Sequence, residues 1–493
     1  MVDMTKPLAL AVCFLIFAAF WLVAVPSVKG QSRTITVPDE YPSISVAIAN
    51  AQDEDTIFVK NGTYNESSLV IDKSIRLIGE DKNSTVISIR PKPIQLTGHI
   101  RLPPFTEDIP ITMTVYEKIV TIIAPNVTVS GFTIKSQIFW SEISIMGNGT
   151  QITDNKIDGG ITGAGNWLQI LNNSFADGIS LSGSNLTIAQ NIVADAVWCY
   201  GSYNVVFSNQ VRKPYQAVTM DDDTYGPWFS ISVGSFALVV NNTINAGGLA
   251  LGGNGSVAAQ NTVRSSVWVN GSDQTVCANN ITHGGLIVTG NNNTLYANNV
   301  TGYSKNSPRY YQLHKIDMTE IQAAPYALSM GRSNDSVDYK VTGENYANNT
   351  FYHNNFNGTI LRLWDGVSGP NFWSTAGQGN YWSNYRGTDA DGDGIGDTPY
   401  LMDTRDSEYK PLNGTEIVDS HPLIAPFNGT AYIELPTWAP SFVAALVPTP
   451  TPTRTPTEVS QPNQAVYIAV GVGTIIIIAC AALLFFVKKR RLT

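Results

Sequence analysis

The chain has 493 residues, 30 Lys and Arg against 39 Asp and Glu, and a formal net charge of −9. Setting aside the basic cluster Lys488–Arg491 and the slightly cationic residues 1–30 leaves an acidic central chain near about −14, which repels nucleic acid and favours cations. The cysteines exclude a disulfide framework: Cys13 and Cys480 lie in apolar segments, and Cys199 and Cys277 fall several repeats apart, farther than the roughly 7 Å that a disulfide bridges. Those two are expected as buried thiols.

Residues 1–30 read as a signal peptide or N-terminal anchor: Lys6, an apolar run from Pro7 to Val25, then Pro26 to Gly30. The following chain is therefore expected outside the cell. From residue 31 to 370 the sequence reads as one solenoid. Its entry holds a short amphipathic helix with Ile44, Ala47, Ile48 and Ala51 on one face, suited to covering the open end of a repeat core. The runs Asp55–Val59 and Ser74–Glu80 are the first strands. Insertions are expected near 89–117, where five prolines interrupt the strands, near 212–234, and near 302–344. The segment at 89–117 reads as a loop or lobe.

The organising signal is an asparagine that returns at 155, 173, 191 and 209, and again at 242, 261, 279 and 298. The steps are about 18 or 19 residues, broken once by about 33, which is a repeat architecture. Each unit alternates apolar and polar residues, as in Ile179, Leu181 and Val267, Val269, so it is built of strands. One unit cannot bury its own apolar face, so the units must stack, at about 4.8 Å per coil. The expected fold is all-β: a right-handed, single-stranded parallel β-helix with an N-terminal capping helix, a C-terminal acidic-loop module and one C-terminal transmembrane helix. A left-handed hexapeptide helix is disfavoured because positions 185 and 191, which its hexad would make apolar, are asparagines. The recurrent asparagine is expected to occupy a bend of unusual backbone geometry and to stack with its neighbours as an amide ladder.

Two aromatic residues keep the same register. Trp198 lies seven residues after Asn191 and Trp268 seven after Asn261, while the residues six and eight on point inward. Both tryptophans should therefore face outward on one side of the solenoid, either as a platform for sugar rings or beneath an insertion. Asp221 and Asp223, in the run Asp221-Asp222-Asp223 with Arg212, Lys213, Tyr225 and Trp228 near in sequence, are weak candidates for a polysaccharide-cleaving site. The bland reading there is a polar loop.

The closing module spans 371–430. Within it, Asp389-Ala390-Asp391-Gly392-Asp393-Gly394-Ile395-Gly396-Asp397 places carboxylates at alternate positions with glycines between. That spacing can turn Asp389, Asp391, Asp393, the Ile395 carbonyl and Asp397 toward one hard cation, so structural Ca²⁺ is expected. The twelfth position is Tyr400, not the bidentate Glu of an EF-hand. The entry run Asp55–Tyr64 with Ile71–Gly79, and the closing run Gly379–Tyr385 with Asp389–Tyr400 and His421–Phe427, resemble those of NosD-like β-helix proteins of the pectin-lyase-like superfamily, common on archaeal surfaces. This resemblance implies the right-handed β-helix. It also raises a copper-accessory role, which the scattered histidines (His99, His283, His314, His353, His421) do not support.

After the module, 431–464 reads as a Pro/Thr-rich stalk, 465–487 as a transmembrane helix and 488–493 as a basic cytoplasmic tail. About eighteen Asn-X-Ser/Thr sequons agree with an exported glycoprotein. The functional expectation is a membrane-anchored extracellular protein with a structural or carbohydrate-binding role, its partner a cell-surface polysaccharide. A lyase or glycosidase acting on acidic polysaccharide is the alternative.

Overall fold

A computed structural model describes residues 32–100, 109–136, 142–212, 229–282, 284–301, 328–330, 347–357, 361–363, 370–402 and 417–444. The repeat units become coils of a parallel β-solenoid of about 12 turns. Its strands stack into three long sheets, here A, B and C, of 13, 13 and 12 strands. Each coil contributes a strand to A, then B, then C, and the order within each sheet follows the chain. Sheet A pairs Gln169–Leu171 with Thr187–Ala189 and so on coil by coil. Sheet C pairs Ile179–Ser182 with Val197–Ser202.

Inward residues of all three sheets form one continuous core, from Ile35 and Val37 through Ile170, Ile188, Val206 and Leu295 to Phe351 and Phe356. The expected helix is present as Ile44–Asn50, capped by the Ser43 hydroxyl, with Ile44, Ala47 and Ile48 buried against that core. At the other end the core closes with stacked rings: Phe351 on Trp373 at 4.5 Å, Phe356 on Trp382 at 4.5 Å, and Tyr400 on Trp382 at 4.6 Å between centroids. Cys199 and Cys277 are free and buried, and burial pushes each thiol up to about 12.

The asparagine column exists. Asn155, Asn173, Asn191, Asn209, Asn242, Asn261, Asn279, Asn298, Asn354 and Asn380 are all buried. Each up to Asn354 sends its backbone N–H and its side-chain Nδ2–H to the Oδ1 of the next, as from Asn173 to Asn191 at 2.9 and 3.1 Å. These residues do not occupy the unusual backbone geometry expected of them. The positive φ belongs to the residue just before: Asp154, Asn172, Gln190, Ser208, Asn241, Gln260, Ala278, Ala297 and His353, all between 51° and 58°. The ladder residue is chosen for its side-chain donor and acceptor, and its predecessor carries the bend.

Three extents differ from expectation, and the segment expected at 89–117 as a loop or lobe takes the form of a lobe. Pro93–Ile100 and Ile109–Tyr116 form an antiparallel ribbon. Both of its strands are edges, so Pro93 and Pro110 cost no ladder bond. Phe229–Ser235 already pairs in sheet C, so the excursion that begins near Arg212 ends by residue 228 and not at 234. Leu328–Met330 also pairs in sheet C, which divides the expected insertion at 302–344 in two. The closing module is partly solenoid as well, since Tyr381–Trp382 joins sheet B.

Residues 431–444, grouped with the stalk by composition, pack on the outside of sheet A. Ile433 and Val443 are buried there among Phe207, Leu238, Val240 and Ala259. The hydroxyl of Tyr296 donates to the Tyr432 carbonyl at 2.6 Å, and Trp438 meets Tyr203 edge-on. No helix among the described residues is long and apolar enough to cross a membrane. The candidate span at 465–487, its basic tail and the leader at 1–30 lie outside the described residues.

Candidate functional site

The outer face of sheet C carries the aromatic register. Val197, Cys199, Val267 and Val269 are fully buried, so the residues between them point outward as the spacing requires. Pairing places Trp198 and Trp268 in one column: Trp198 opposite Ser232, Ser232 opposite Ala250, Ala250 opposite Trp268. Three coil steps separate them, about 14 Å at the spacing of a sheet.

The two rings have different surroundings. Trp198 is 40% exposed, and its indole N–H reaches the Phe229 carbonyl at 3.4 Å. Trp268 is half-buried, with Phe229 edge-on at 5.2 Å, and its indole nitrogen is buried without a hydrogen-bond partner. Phe229 thus fills the space between them: it covers Trp268 and leaves the Trp198 ring open. Of the two surroundings expected, Trp198 has the open one and Trp268 the covered one.

Beside Trp198, toward the N-terminal coils, the same column continues as Ser180, Thr162 and Ser144. These small residues floor a cavity of about 500 Å³. Two residues beyond Trp198 on the same strand, Tyr200 is 48% exposed and walls that cavity. Gly163 lies in that lining, where a Cβ (φ +151°) would lie 2.1 Å from the Ile145 carbonyl oxygen of the preceding coil. Tyr200 was not singled out from the sequence, although the alternation that turned Trp198 outward turns Tyr200 outward too. Asp221 and Asp223 lie outside the described residues, in the connection from Gln210–Val211 of sheet B to Phe229–Ser235 of sheet C.

In the acidic loop, one carboxylate oxygen from each of Asp389, Asp391 and Asp393 comes within 4.8 Å of the others. The loop is shaped by its own acids. Asp389 Oδ1 accepts from the Gly392 and Asp393 amides at 2.7 and 3.1 Å, and Oδ2 from the Gly394 amide at 3.0 Å. Desolvation alone would raise the Asp389 carboxyl, but these amides outweigh it and hold the group below its ordinary value. Asp393 accepts from the Ile395 amide at 2.8 Å. Asp397 stands apart from the trio and accepts from the Ala390 amide and the Thr388 hydroxyl at 2.8 and 3.2 Å. The sequence spacing therefore brings three of its proposed ligands together. An all-oxygen trio of carboxylates suits a hard cation such as Ca²⁺.

One buried acid was not anticipated. Asp419 ends the amide ladder: its Oδ2 accepts from Asn380 N at 2.8 Å, Asn380 Nδ2 at 3.3 Å and Trp382 Nε1 at 2.9 Å. Burial raises the pKa of this carboxyl, and the hydrogen bonds offset only part of that. An acid that accepts only is what the last rung requires, because no further asparagine follows to receive a donor.

No family model matches the chain, and no curated protein matches it. Among solved structures it is similar to the PL6 family alginate lyase AlyGC, at 13% identity and a TM-score of 0.31, over 69% of this chain and 52% of that one. It is also similar to the catalytic domain of a GH87 α-1,3-glucanase in complex with nigerose, at 13% identity and a TM-score of 0.39, over 72% and 70% of the two chains. A pectin methylesterase in complex with a hexasaccharide aligns at 12% identity and a TM-score of 0.24, over 55% and 82%. The chain thus spans about half the length of the alginate lyase. At these identities the likeness is one of fold, the parallel β-solenoid.

Proposed function

We propose that this chain is a NosD-like surface protein whose solenoid binds a polysaccharide without cleaving it, along the outer face of sheet C. The observation that carries the reading is the Trp198 ring, held outward by its register and left open beside a hydroxyl-floored cavity. An exposed indole costs solubility unless something uses it, and sugar rings stack on such faces. The acidic loop belongs to the same reading as a structural Ca²⁺ site that fastens the end of the solenoid. The apolar segment 465–487 would then anchor the protein to the cell membrane, with the solenoid outside and the C-terminus in the cytoplasm.

A polysaccharide array with the full-length chain and its Trp198→Ala and Trp268→Ala variants tests the binding face. Retention should fall by about tenfold for Trp198→Ala, the loss of one exposed aromatic anchor. Trp268→Ala should lower stability and spare retention, because Phe229 covers that ring. Equal retention of wild type and Trp198→Ala sinks the reading. Release of shortened chains from any retained polymer would replace it with catalysis. Chelation should lower the thermal midpoint if the acidic loop holds Ca²⁺, and an unchanged midpoint removes the ion from the account.

A further inference from the structure

We infer that the ligand of the sheet C face is an uncharged polysaccharide, gripped between Tyr200 and the hydroxyl row Ser144, Thr162 and Ser180. This rests on the carbohydrate-binding reading and adds the chemical class of the ligand. The first observation is the cavity lining. It consists of hydroxyl residues, aliphatic residues and glycine, with Met146 and Tyr200 as its large exposed side chains, and it contains no charged residue. A polyuronate presents a carboxylate on each sugar, and binding it calls for Arg or Lys forks, which this surface does not offer.

The second observation is the outward row itself. Serine and threonine hydroxyls donate and accept alike, which matches the hydroxyls of a neutral sugar. The row repeats at the coil spacing of about 4.8 Å, so it offers the same group at regular steps to a linear, regularly repeating ligand.

The test uses the full-length chain on immobilised neutral polymers (a β-glucan, an α-glucan and a galactomannan) and acidic ones (alginate and polygalacturonate), each with calcium and with chelator. A neutral polymer should be retained, with little dependence on salt, and the acidic ones not. Tyr200→Ala, at an exposed position, should cut neutral retention by about tenfold with the circular dichroism unchanged. Ser180→Lys should weaken neutral retention and raise that of alginate. Retention of acidic polymers alone overturns the charge assignment and leaves carbohydrate binding standing. Retention of none overturns both. Neutral retention that survives Tyr200→Ala overturns the placement of the ligand at this cavity.

Discussion

Truncating a mid-ladder asparagine is the sharpest probe of what holds the coils together. In Asn261→Ala, the Oδ1 that accepts from Asn242 N and Nδ2 at 2.9 and 3.0 Å is removed. The Nδ2 that donates to the Val239 carbonyl at 2.8 Å and to Asn279 Oδ1 at 2.9 Å goes with it. Asn279 Oδ1 keeps the Asn261 backbone N–H at 2.9 Å, and Asn242 Nδ2 keeps the Val206 carbonyl at 2.8 Å. The net damage is a buried Asn242 N–H and a buried Val239 carbonyl that each lose a partner. At about 1–3 kcal/mol for each of these two groups, the variant should lose roughly 2–6 kcal/mol. Asn280→Ala changes the very next residue, which is exposed, and should stay within about 0.5 kcal/mol. Urea unfolding followed by far-UV circular dichroism measures both, with the slope checked for loss of cooperativity because solenoid coils can melt in part. Equal midpoints for Asn261→Ala and Asn280→Ala would refute the ladder as a source of stability.

Two further outcomes follow from the same corner of the coil. Ala278 sits at φ 55°, a conformation that costs an L-residue roughly 1–2 kcal/mol, so Ala278→Gly should stabilise by about 0.5–1 kcal/mol after the added freedom of the unfolded chain is subtracted; a lower urea midpoint contradicts this. Asp419 has its pKa raised from 3.8, so the folded state holds a proton that the unfolded state has lost, and stability falls as pH rises from about 3.8 through the folded value. Asp419→Asn should remove that fall, and should cost about 1–3 kcal/mol if its new NH₂ meets the His421 amide, which now donates to Oδ1 at 3.2 Å. Unfolding midpoints compared between pH 4 and pH 7 decide it, and parallel pH profiles for the two proteins would count against the raised pKa.

What the sequence made legible is what recurs. A side chain that returns each coil announces the coil, and period-two alternation fixes which neighbours face in, so the buried Val197 and Cys199 and the outward Trp198 could be placed by counting. The bend was misplaced by one residue because its occupants vary: the positive-φ position is filled by Asp, Asn, Gln, Ser, Ala and His in turn, so it has no compositional mark. Asp419 was illegible because the chain between Asn380 and Asp419 gives no count that would carry it to the next rung. The covering of sheet A did leave a trace. Val205-Val206-Phe207, Leu238-Val239-Val240 and Val257-Ala258-Ala259 are apolar at all three positions, the pattern of a strand buried on both faces, and all nine residues are buried. Read that way, the triplets would have called for a covering segment, though not for which one.

The three outer faces then have separate fates, and this singles out the binding face. Sheet B presents short strands with Lys156, Ser174, Gln210, Thr243, Thr262 and Asn280 outward, a surface that water satisfies. Sheet A presents Phe207, Leu238, Val240 and Ala259, which residues 431–444 of the same chain already cover through Ile433 and Val443. Among the described strands of the three sheets, those of sheet C keep large exposed rings, Trp198 and Tyr200, beside a recess with no described segment over it, while the exposed Trp167, Tyr203 and Phe236 stand in the turns from sheet C to sheet A. The described excursion, the ribbon 93–116, leaves from the turn between B and C, and the connections after Val211 and after Thr301 leave from that turn too. Insertions from a repeat scaffold gather at the face that meets a ligand. Apolar surface that the chain neither hides nor solvates, flanked by the turns where its extra length is placed, is where a polysaccharide has something to gain by lying down.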